Sequence, residues 1–335
     1  MTTDVVIVGG GPVGLAVGIE ARLAGLDVTV IEPRAGPIDK ACGEGLMPGA
    51  VDALARLGVR PAGRVFTGIS YQDGRRRVDH EFRNGSGLGV RRTTLHEALA
   101  ARAAEVGVDH LVGRVDALQQ DTDSVTVCGI RARWLLACDG LHSSVRERVG
   151  LAGAPRGPRR FGLRRHFALA PWSDLVEVRW LADAEVYITP VAEDLVGVAV
   201  LGPPHTDYAR VVACLPELAG AEAVTSMRGA GPLRQRTTRR TVGRILLVGD
   251  ASGYVDAITG EGIRVGLAQA RAAVRCIVAG VPDEYEREWR AVTRDYRCLT
   301  SGLVAIASGP LRSRIVPLAR ALPGVYGGIV ERIAG

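Results

Sequence analysis

The first glycine-rich turn constrains the fold of this chain more than any other feature of its sequence. The apolar run 5–8 has the pattern of a strand buried in a parallel sheet, and a helical pattern begins at Pro12. Gly9, Gly11 and Gly14 stand at this junction with the spacing G-x-G-x-x-G. There the first glycine makes a tight turn, the second lets a pyrophosphate approach the backbone, and the third lets helix and strand pack closely. The pattern predicts a dinucleotide-binding turn; an ordinary glycine-rich turn is the alternative.

A second strand pattern strengthens this prediction. The run 27–31 ends at Glu32, 21 residues after Gly11, where an acidic side chain binds a ribose hydroxyl in dinucleotide sites. The helix that begins at Pro12 adds amide donors and the positive end of a helix dipole for a phosphate. We therefore expect these residues to bind the cofactor: Gly9, Gly11, Pro12, Gly14 and Glu32.

Composition narrows the class of protein. A chain of 335 residues suggests about two domains, and an apolar content of 47% fits an α/β protein with a large core. The net charge is +6, but the basic residues are dispersed among acids without interleaved aromatics, so we expect no nucleic-acid partner. A positive field still favours anionic cofactors and substrates. The six cysteines lack C-x-x-C pairs, which indicates reduced thiols and no metal site.

The sequence has no pattern of a membrane-spanning segment or of a signal peptide. No apolar run is long enough to cross a bilayer, and residues 1–4 lead directly into a strand pattern. These features predict a cytoplasmic protein. The last segment, 309–335, is apolar with interspersed arginines. A basic amphipathic helix can contact a membrane surface, but such a helix more often covers its own protein, and we favour packing.

The rest of the chain alternates between strand and helix patterns. Helices are predicted over about 49–57, 91–106, 207–215, 262–279 and 282–303, the second of them capped by Thr93 or Thr94. Strands are predicted over about 108–111, 115–119, 125–127, 134–138, 176–181, 185–189, 195–201 and 244–250, and a hairpin with an Asp73-Gly74 turn over 65–90.

Further motifs follow the first turn in a recognisable order. The segment 138–146 has the sequence C-D-G-L-H-S-S-V-R, residues 249–251 are G-D-A, and residues 260–263 are G-E-G-I. Arg92 lies at the start of the predicted helix 91–106. With the first turn, these motifs resemble the flavoprotein hydroxylase and geranylgeranyl reductase superfamily (group A flavoprotein monooxygenase-like), which has the fold of para-hydroxybenzoate hydroxylase. The resemblance covers most of the chain through discontinuous motifs.

The resemblance implies an α/β fold. A Rossmann-like FAD-binding domain, comprising residues 1–65, 91–153 and 241–300, would be interleaved with a mostly antiparallel substrate sheet, comprising 66–90 and 154–240. C-terminal helices over 301–335 would follow. Because the extra C-terminal domain of the larger phenol hydroxylases is not found in this sequence, the tail helices or a partner subunit would cover the substrate. The protein would be a monomer or a homodimer.

The resemblance also implies the cofactors. FAD would stay tightly bound, and NADH or NADPH would dock transiently, because the chain has one dinucleotide fingerprint. Asp250 would bind ribityl hydroxyls, Arg92 would contact the phosphates or the flavin side, and Arg34 the adenine side. The start of the helix 262–279 would face the flavin ring edge, where reduction places negative charge. The further cofactor contacts that the resemblance implies are Pro33, Cys42, Gly43, Val115, Asp139, Gly140, Gly249, Gly260, Gly262 and Ile263.

Three flavin reactions are compatible with the family. NAD(P)H-driven hydroxylation passes an oxygen atom from a flavin hydroperoxide to an electron-rich aromatic, here a phenolic or polyketide-like small molecule of secondary metabolism. Double-bond saturation gives a hydride to a prenyl or polyene chain. Halogenation uses a tunnel lysine, but Lys40, the chain's one lysine, lies in the predicted flavin loop, and the halogenase W-x-W-x-I-P motif is absent. Halogenation is therefore disfavoured.

Two departures from family patterns leave the other two reactions open. The Y-x-W-x-F-P pattern of prenyl reductases is present only as Tyr187-Ile-Thr-Pro190. The hydroxylase branch usually has Ala-His after Gly-Asp-Ala, whereas this chain has Ser252-Gly253. The loop 42–46, C-G-E-G-L, is closest to the geranylgeranyl reductase branch, in which a cysteine faces the active cavity. We favour hydroxylation, with reduction as the alternative and a flavin-binding carrier or sensor without turnover as a second.

No catalytic triad is expected, because FAD supplies the reactivity and the protein supplies position and electrostatics. Three side chains are candidates for a catalytic role. Cys42 has the position of the family's cysteine, although a thiol packed beside the ring is an equally good interpretation. His166 and Tyr187 lie in the predicted substrate sheet, as does Trp180, and could line its pocket.

Overall fold

Two large sheets, one small sheet and a set of helices form the fold, and the computed structural model describes residues 2–335. In chain order the strands are β1 (Thr2–Val8), β2 (Val28–Glu32), β3 (Gly45–Leu46), β4 (Arg64–Phe66), β5 (Gly68–Gln72), β6 (Arg77–Glu81), β7 (Gly87–Gly89), β8 (Asp109–Val112), β9 (Leu118–Gln120), β10 (Val125–Val127), β11 (Ile130–Ala137), β12 (Phe161–Ala168), β13 (Leu175–Trp180), β14 (Glu185–Ala192), β15 (Leu195–Gly202), β16 (Glu222–Ala223), β17 (Arg228–Ala230), β18 (Thr241–Val242) and β19 (Ile245–Leu247). The helices are α1 (Pro12–Leu23), α2 (Pro48–Arg56), α3 (Arg92–Glu105), α4 (Ser144–Arg148), α5 (Tyr208–Val212), α6 (Gly262–Val278), α7 (Tyr285–Ala307), α8 (Ile315–Ala321) and α9 (Pro323–Ala334).

The first large sheet contains the strand that leads into the glycine turn. Its order is β18-β19-β11-β1-β2-β8, and β10 and β9 extend it beside β11. Because β1 runs parallel to both β2 and β11, the carboxyl ends of these three strands lie at one edge. Helices α1, α3 and α6 share one apolar core with them. This is the buried parallel arrangement that the apolar run 5–8 predicts.

The second large sheet is mostly antiparallel, as predicted. Its order is β16-β12-β15-β14-β13-β5-β6, with β17 beside β12. Only β5 and β13 pair in parallel. The hairpin β5–β6 turns at Asp73-Gly74, where the Asp73 amide donates to the Arg76 carbonyl at 3.1 Å. A small third sheet, β3-β7-β4, joins the loop after β2 to this region.

The tail packs on the second sheet through one side of its helices. The Tyr326 hydroxyl of α9 donates to the Ile69 carbonyl of β5 at 3.0 Å, and Glu331 lies 2.7 Å from the His80 ring of β6. Ile315 and Ile333 are buried in the same apolar cluster. The prediction of packing is confirmed for this side. Across residues 2–335, we find no helix with the length and hydrophobicity needed to traverse a bilayer.

Two predictions of local structure are wrong, and one strand was missed. The strand predicted over 115–119 begins only at Leu118, and Val115 lies in the irregular segment before it. The strand β12 was not predicted, because Arg164 and Arg165 interrupt its apolar pattern. Helix α3 begins at Arg92 with Arg91 as its N-cap residue, and neither Thr93 nor Thr94 caps it through a side chain. The predicted division into domains stays a prediction.

Candidate active site

One cavity of about 420 Å³ runs from the glycine turn to the second sheet. At one end its wall is formed by the residues that follow β1, β2 and β11, where the carboxyl ends of parallel strands meet. Ligands of open α/β sheets bind at this edge. At the other end its wall is formed by β13, β14 and β15. The cavity therefore joins a polar backbone end to an apolar end.

The three glycines of the first turn have different roles in the structure. Gly9 has φ +104°, and a Cβ there would lie 2.5 Å from the Cys138 carbonyl oxygen. A Cβ on Gly14 would lie 1.8 Å from the Gly9 carbonyl oxygen, so Gly14 is required for packing and does not line the cavity. Gly11 lines the cavity, and a Cβ there would meet no described atom within 4 Å. The backbone at Gly11 is therefore open to a ligand.

Glu32 is buried at the end of β2 and faces the same turn. Its carboxylate accepts hydrogen bonds from the Gly10 amide at 2.9 Å and from the Arg34 guanidinium at 2.7 Å. Burial alone would raise the pKa of Glu32, but the hydrogen bonds from Arg34 and Gly10 bring that pKa below its usual value. Glu32 is therefore ionised at neutral pH and accepts hydrogen bonds only.

The motif at 138–146 connects two walls of the cavity. Asp139 accepts from the Val145 amide at 3.1 Å, and Ser143 caps α4 by accepting from the Arg146 amide at 2.9 Å. The buried Arg146 guanidinium donates to the Leu141 carbonyl at 3.0 Å and to the Ala251 carbonyl at 3.2 Å. The arginine thus ties this motif to the Gly249-Asp250-Ala251 turn.

The Gly249-Asp250 turn places a carboxylate at the cavity beside the chain's one lysine. Gly249 has φ +66°, and Asp250 Oδ2 lies 3.6 Å from Lys40 Nζ. The turn is fixed from behind by Ser252, whose hydroxyl donates to the Gly249 carbonyl at 2.7 Å and accepts from Trp289 Nε1 at 2.8 Å. In this chain Ser252 supplies a buried polar anchor at the position where the hydroxylase pattern has alanine.

The start of α6 forms the neighbouring wall. Gly260 has φ +71°, a conformation that favours glycine, and Gly262 is the first residue of the helix. Gly260, Gly262 and Ile263 line the cavity. A 17-residue helix has the positive end of its dipole here. Developing negative charge on a bound ring would be stabilised at this position.

Apolar side chains of the second sheet close the far end of the cavity, which we call the apolar chamber. Its wall comprises Ile69, Tyr71, Val176, Val178, Tyr187, Ala199, Leu201, Leu233, Ile258 and, from α9, Ile333. The buried Tyr187 hydroxyl donates to the Ile258 carbonyl at 2.7 Å. Burial raises the pKa of Tyr187 well above its usual value, so the phenol stays neutral.

The loop with Cys42 and Gly43 stands between the two ends of the cavity. Thr189 of β14 donates from its hydroxyl to the Gly43 carbonyl at 2.7 Å. Cys42 is partly buried, lines the cavity, and accepts from the Glu44 amide at 3.4 Å. The position agrees with a cysteine that faces the active cavity; a catalytic role stays a prediction.

The expectation that His166 lines the pocket is wrong. His166 is buried behind the cavity wall, and its Nε2 lies 2.6 Å from Glu44 Oε2. Because the Arg164 guanidinium can only donate, and lies 3.2 Å from His166 Nδ1, that nitrogen accepts and Nε2 donates to Glu44. Trp180 also lies outside the cavity wall and packs edge-on against Tyr71.

Glu44 is a buried acidic residue that lines the cavity but is not among the predicted site residues. Its other oxygen accepts from the Arg92 amide at 2.8 Å, the first amide of α3. Glu44 thus takes the position that we expected for Thr93 or Thr94, since it satisfies a free amide of the helix start. Glu44 adopts φ +60°. Its place inside the C-G-E-G-L loop was a signal, but nothing in that spacing showed burial.

The structure brings together nearly all of the residues that the sequence predicts for the cofactor. Those that line the one cavity are Gly9, Gly11, Pro12, Glu32, Pro33, Arg34, Cys42, Gly43, Arg92, Val115, Asp139, Gly140, Gly249, Asp250, Gly260, Gly262 and Ile263. Their individual contacts with FAD stay predictions.

These residues fit a flavin adenine dinucleotide. The open backbone at Gly11 allows close approach of a pyrophosphate, and a carboxylate stands at each of two positions, Glu32 and Asp250, where sugar-type hydroxyls would bind. Within residues 2–335, Arg92 Nε and Asp139 Oδ1 are buried polar atoms without a hydrogen-bond partner. Buried polar atoms of this kind are normally satisfied, and a polar cofactor would satisfy them.

Comparisons with known proteins find similar proteins over most of this chain. The chain is 28% identical over 88% of its length to a menaquinone reductase from Mycolicibacterium smegmatis, and it spans 80% of that protein. It is also 28% identical, over 81% of its length, to a 12-dehydrotetracycline 5-monooxygenase/anhydrotetracycline 6-monooxygenase from Streptomyces rimosus, of which it spans 61%. An anhydrotetracycline hydroxylase structure from the same species superposes with a TM-score of 0.71 and 25% identity, over 100% of this chain and 76% of that one.

A family model settles the assignment. The FAD binding domain model matches residues 2–288, which is most of the chain. The predicted cofactor, FAD, and the predicted fold class are confirmed. The chain belongs to the FAD binding domain family and is an FAD-dependent oxidoreductase.

Proposed function

We propose that the protein is an FAD-dependent monooxygenase that consumes NADH or NADPH and hydroxylates a phenolic or polyketide-like small molecule. One observation carries the proposal: the glycine turn and the apolar chamber belong to one continuous cavity. Oxygen transfer needs a site that excludes water, because solvent access promotes loss of the activated oxygen as hydrogen peroxide before it reaches the substrate. The similarity to the tetracycline monooxygenase, over 81% of the chain, supports this reaction.

The polar end of the cavity would hold the cofactor. The open backbone at Gly11 and the free amides of α1 would bind the pyrophosphate, Glu32 a ribose and Asp250 the ribityl chain. When bound and reduced, FAD supplies the electrons that activate oxygen. The start of α6 would stabilise the negative charge of the reduced ring through its amides and dipole.

The apolar chamber would hold the substrate. Its aliphatic side chains would surround an aromatic ring and exclude water from the reacting atoms. Tyr187 would position the substrate and would not ionise. Its hydroxyl donates a hydrogen bond to the Ile258 carbonyl, and its raised pKa keeps the phenol neutral. Its phenolic oxygen still has a lone pair that can accept a hydrogen bond from a substrate hydroxyl.

Saturation of a carbon–carbon double bond is a second candidate, and a specific observation favours it. The menaquinone reductase matches over 88% of this chain and 80% of its own length. An apolar chamber without an ionised side chain in its wall also suits an unsaturated hydrocarbon. Both candidates use the same cofactor end, so they differ only in what enters the chamber and in whether oxygen is consumed.

Isotope labelling separates the two reactions. The flavin-loaded protein is incubated with NADH or NADPH under ¹⁸O₂ and, in turn, with anhydrotetracycline and a menaquinone. We expect a product that contains one labelled oxygen atom. A product that gains two hydrogen atoms at a carbon–carbon double bond, without label, would establish the reductase instead. Reduction of the menaquinone ring to its quinol adds the same mass, so the position of the new hydrogens is assigned by NMR. If NADH and NADPH stay unoxidised with every compound, the result would support the alternative of a flavin carrier or sensor. Asp250→Ala, expected to lose FAD, is the negative control.

A further inference from the structure

The outward side of the C-terminal helices is apolar. Leu311, Leu318, Leu322, Val325 and Ile329 form what we call the tail face, and their exposed fractions run from 39% for Ile329 to 59% for Val325. Leu322 joins α8 to α9, and hydrogen bonds from its amide to the Leu318 carbonyl and from the Val325 amide to its own carbonyl hold these three residues together across the junction. Isolated exposed leucines are common, but a contiguous apolar face indicates an interaction site.

The tail face has positive charge and no negative charge in its own segment. The sequence has no Asp or Glu from residue 296 to residue 330, and Arg314 and Arg320 in this segment are exposed. The nearest acid along the chain, Glu331, lies 2.7 Å from the His80 ring and accepts from the Arg83 amide at 3.0 Å. Leucines and valines flanked by exposed arginines are the composition of helices that lie on anionic bilayers.

The opposite side of the same helices is fixed to the protein. Ile315, Val316, Tyr326 and Val330 are buried against the second sheet, and Ile333 forms part of the chamber wall. The tail face is therefore the outer side of helices that pack on the protein, and it does not belong to an unfolded end. It also stands on the helix that closes the substrate end of the cavity.

We propose that the tail face docks on the surface of an anionic phospholipid bilayer, with the helices lying in the interface plane. Charge complementarity favours a bilayer over a second copy of this chain. Two tail faces packed against each other would bring Arg314 and Arg320 of both copies together with no acid from 296 to 330 to compensate. An anionic bilayer offers both phosphate groups for the arginines and an apolar layer for the leucines.

Vesicle flotation of the flavin-loaded protein tests the proposal. The protein is mixed with vesicles of phosphatidylcholine alone or with phosphatidylglycerol added. We expect binding to the mixed vesicles that weakens at high salt. The triple variant Leu318→Gln/Leu322→Gln/Val325→Gln should bind about tenfold less, or weaker still, since three apolar anchors are lost. Leu23→Gln is the matched control, because Leu23 is 54% exposed, like Leu318, and lies on α1.

A second variant tests the electrostatic part. Arg314→Gln/Arg320→Gln should lose about tenfold in binding to the mixed vesicles and change little with phosphatidylcholine alone. Retained flavin absorbance and unchanged melting temperature show that each variant is folded. Two results would overturn the proposal. One is wild-type protein that does not float with mixed vesicles at low salt. The other is a dimer by light scattering that the triple variant converts to monomer, which would assign the face to a second copy.

Discussion

At the scale of single residues, two glycines contribute to the cavity in different ways. Gly11 leaves its backbone accessible from the cavity, and Gly14 allows close packing behind it. Gly11 has φ −68° and ψ 175°, which any residue adopts, and its Cβ position is open. Gly14 instead abuts the Gly9 carbonyl oxygen. The same motif therefore contains one residue that a ligand requires and one that the fold requires.

Substitution of these two glycines should separate the requirements. Gly11→Val is expected to fold with a melting temperature close to that of the wild type and to retain about tenfold less flavin, because its side chain enters the cavity. Gly14→Ala should lower the stability of the whole protein, since its Cβ has no room. Flavin absorbance per protein and thermal melting measure the two effects. A fully yellow Gly11→Val protein would show that no pyrophosphate lies there.

Glu44 offers a second test at this scale. One carboxylate oxygen of Glu44 accepts a hydrogen bond from the Arg92 amide, and the other accepts one from His166 Nε2. In Glu44→Gln the NH₂ group of the new side chain replaces one of these acceptors, so that it faces another hydrogen-bond donor. We expect a loss of about 1–3 kcal/mol in the free energy of unfolding, measured by urea denaturation, because a buried donor is left without an acceptor. Glu97→Gln, exposed on α3, is the control and should change stability by less than about 0.5 kcal/mol. Equal stabilities would contradict the acceptor role.

At the scale of elements, a buried ion-pair cluster links the tail to the second large sheet. Glu185 of β14 accepts from Arg160 at 2.5 Å and from Arg312 at 2.5 Å, and Arg160 also donates to Asp256 at 3.0 Å. Arg312 precedes α8 and donates further to the Leu181 carbonyl at 2.7 Å and the Ala307 carbonyl at 2.8 Å. The cluster therefore fixes the element that leads to the tail helices.

Removal of Arg312 should loosen that attachment. Arg312→Leu removes one partner of a buried carboxylate, and we expect a loss of about 3–5 kcal/mol in the free energy of unfolding together with faster proteolysis after α7. Arg314→Leu, in the same turn but exposed, should change stability by less than about 0.5 kcal/mol. If both variants unfold alike, Arg312 does not anchor the tail.

The elements also show which patterns the sequence can and cannot predict. The glycine turn and strands β1, β2 and β14 follow from local apolar patterns, because each strand is buried by the hydrophobicity of its own residues. Strand β12 does not, since Arg164 is 1% exposed and is neutralised by Asp39, which lies 125 positions earlier. No local rule distinguishes a buried, paired arginine from a solvated one. For the same reason Glu44 and His166 could not be paired in advance.

At the scale of the whole molecule, the site is assembled from segments that are distant in the sequence. The motifs at residues 9–14, 32–43, 138–140 and 249–263 reach one cavity because parallel strands end at a common edge. The sequence therefore predicts the cofactor end well. The apolar chamber depends on side chains from β13, β14, β15 and α9, which have no motif, and its shape could not be derived without the fold.

Lys40, which pairs with Asp250, places a primary amine that reagents can modify in the wall of this cavity. The chain has 42 basic residues, and Lys40 is the one lysine among them, so it has the chain's one side-chain primary amine. That amine stands in the cavity wall, 3.6 Å from the carboxylate of a turn that the cofactor would touch. Amine-directed acylation of this protein is therefore, at its side chains, a modification of the cavity itself. A mass increment located on the peptide that contains Lys40 reports on the site separately from acylation of the α-amine.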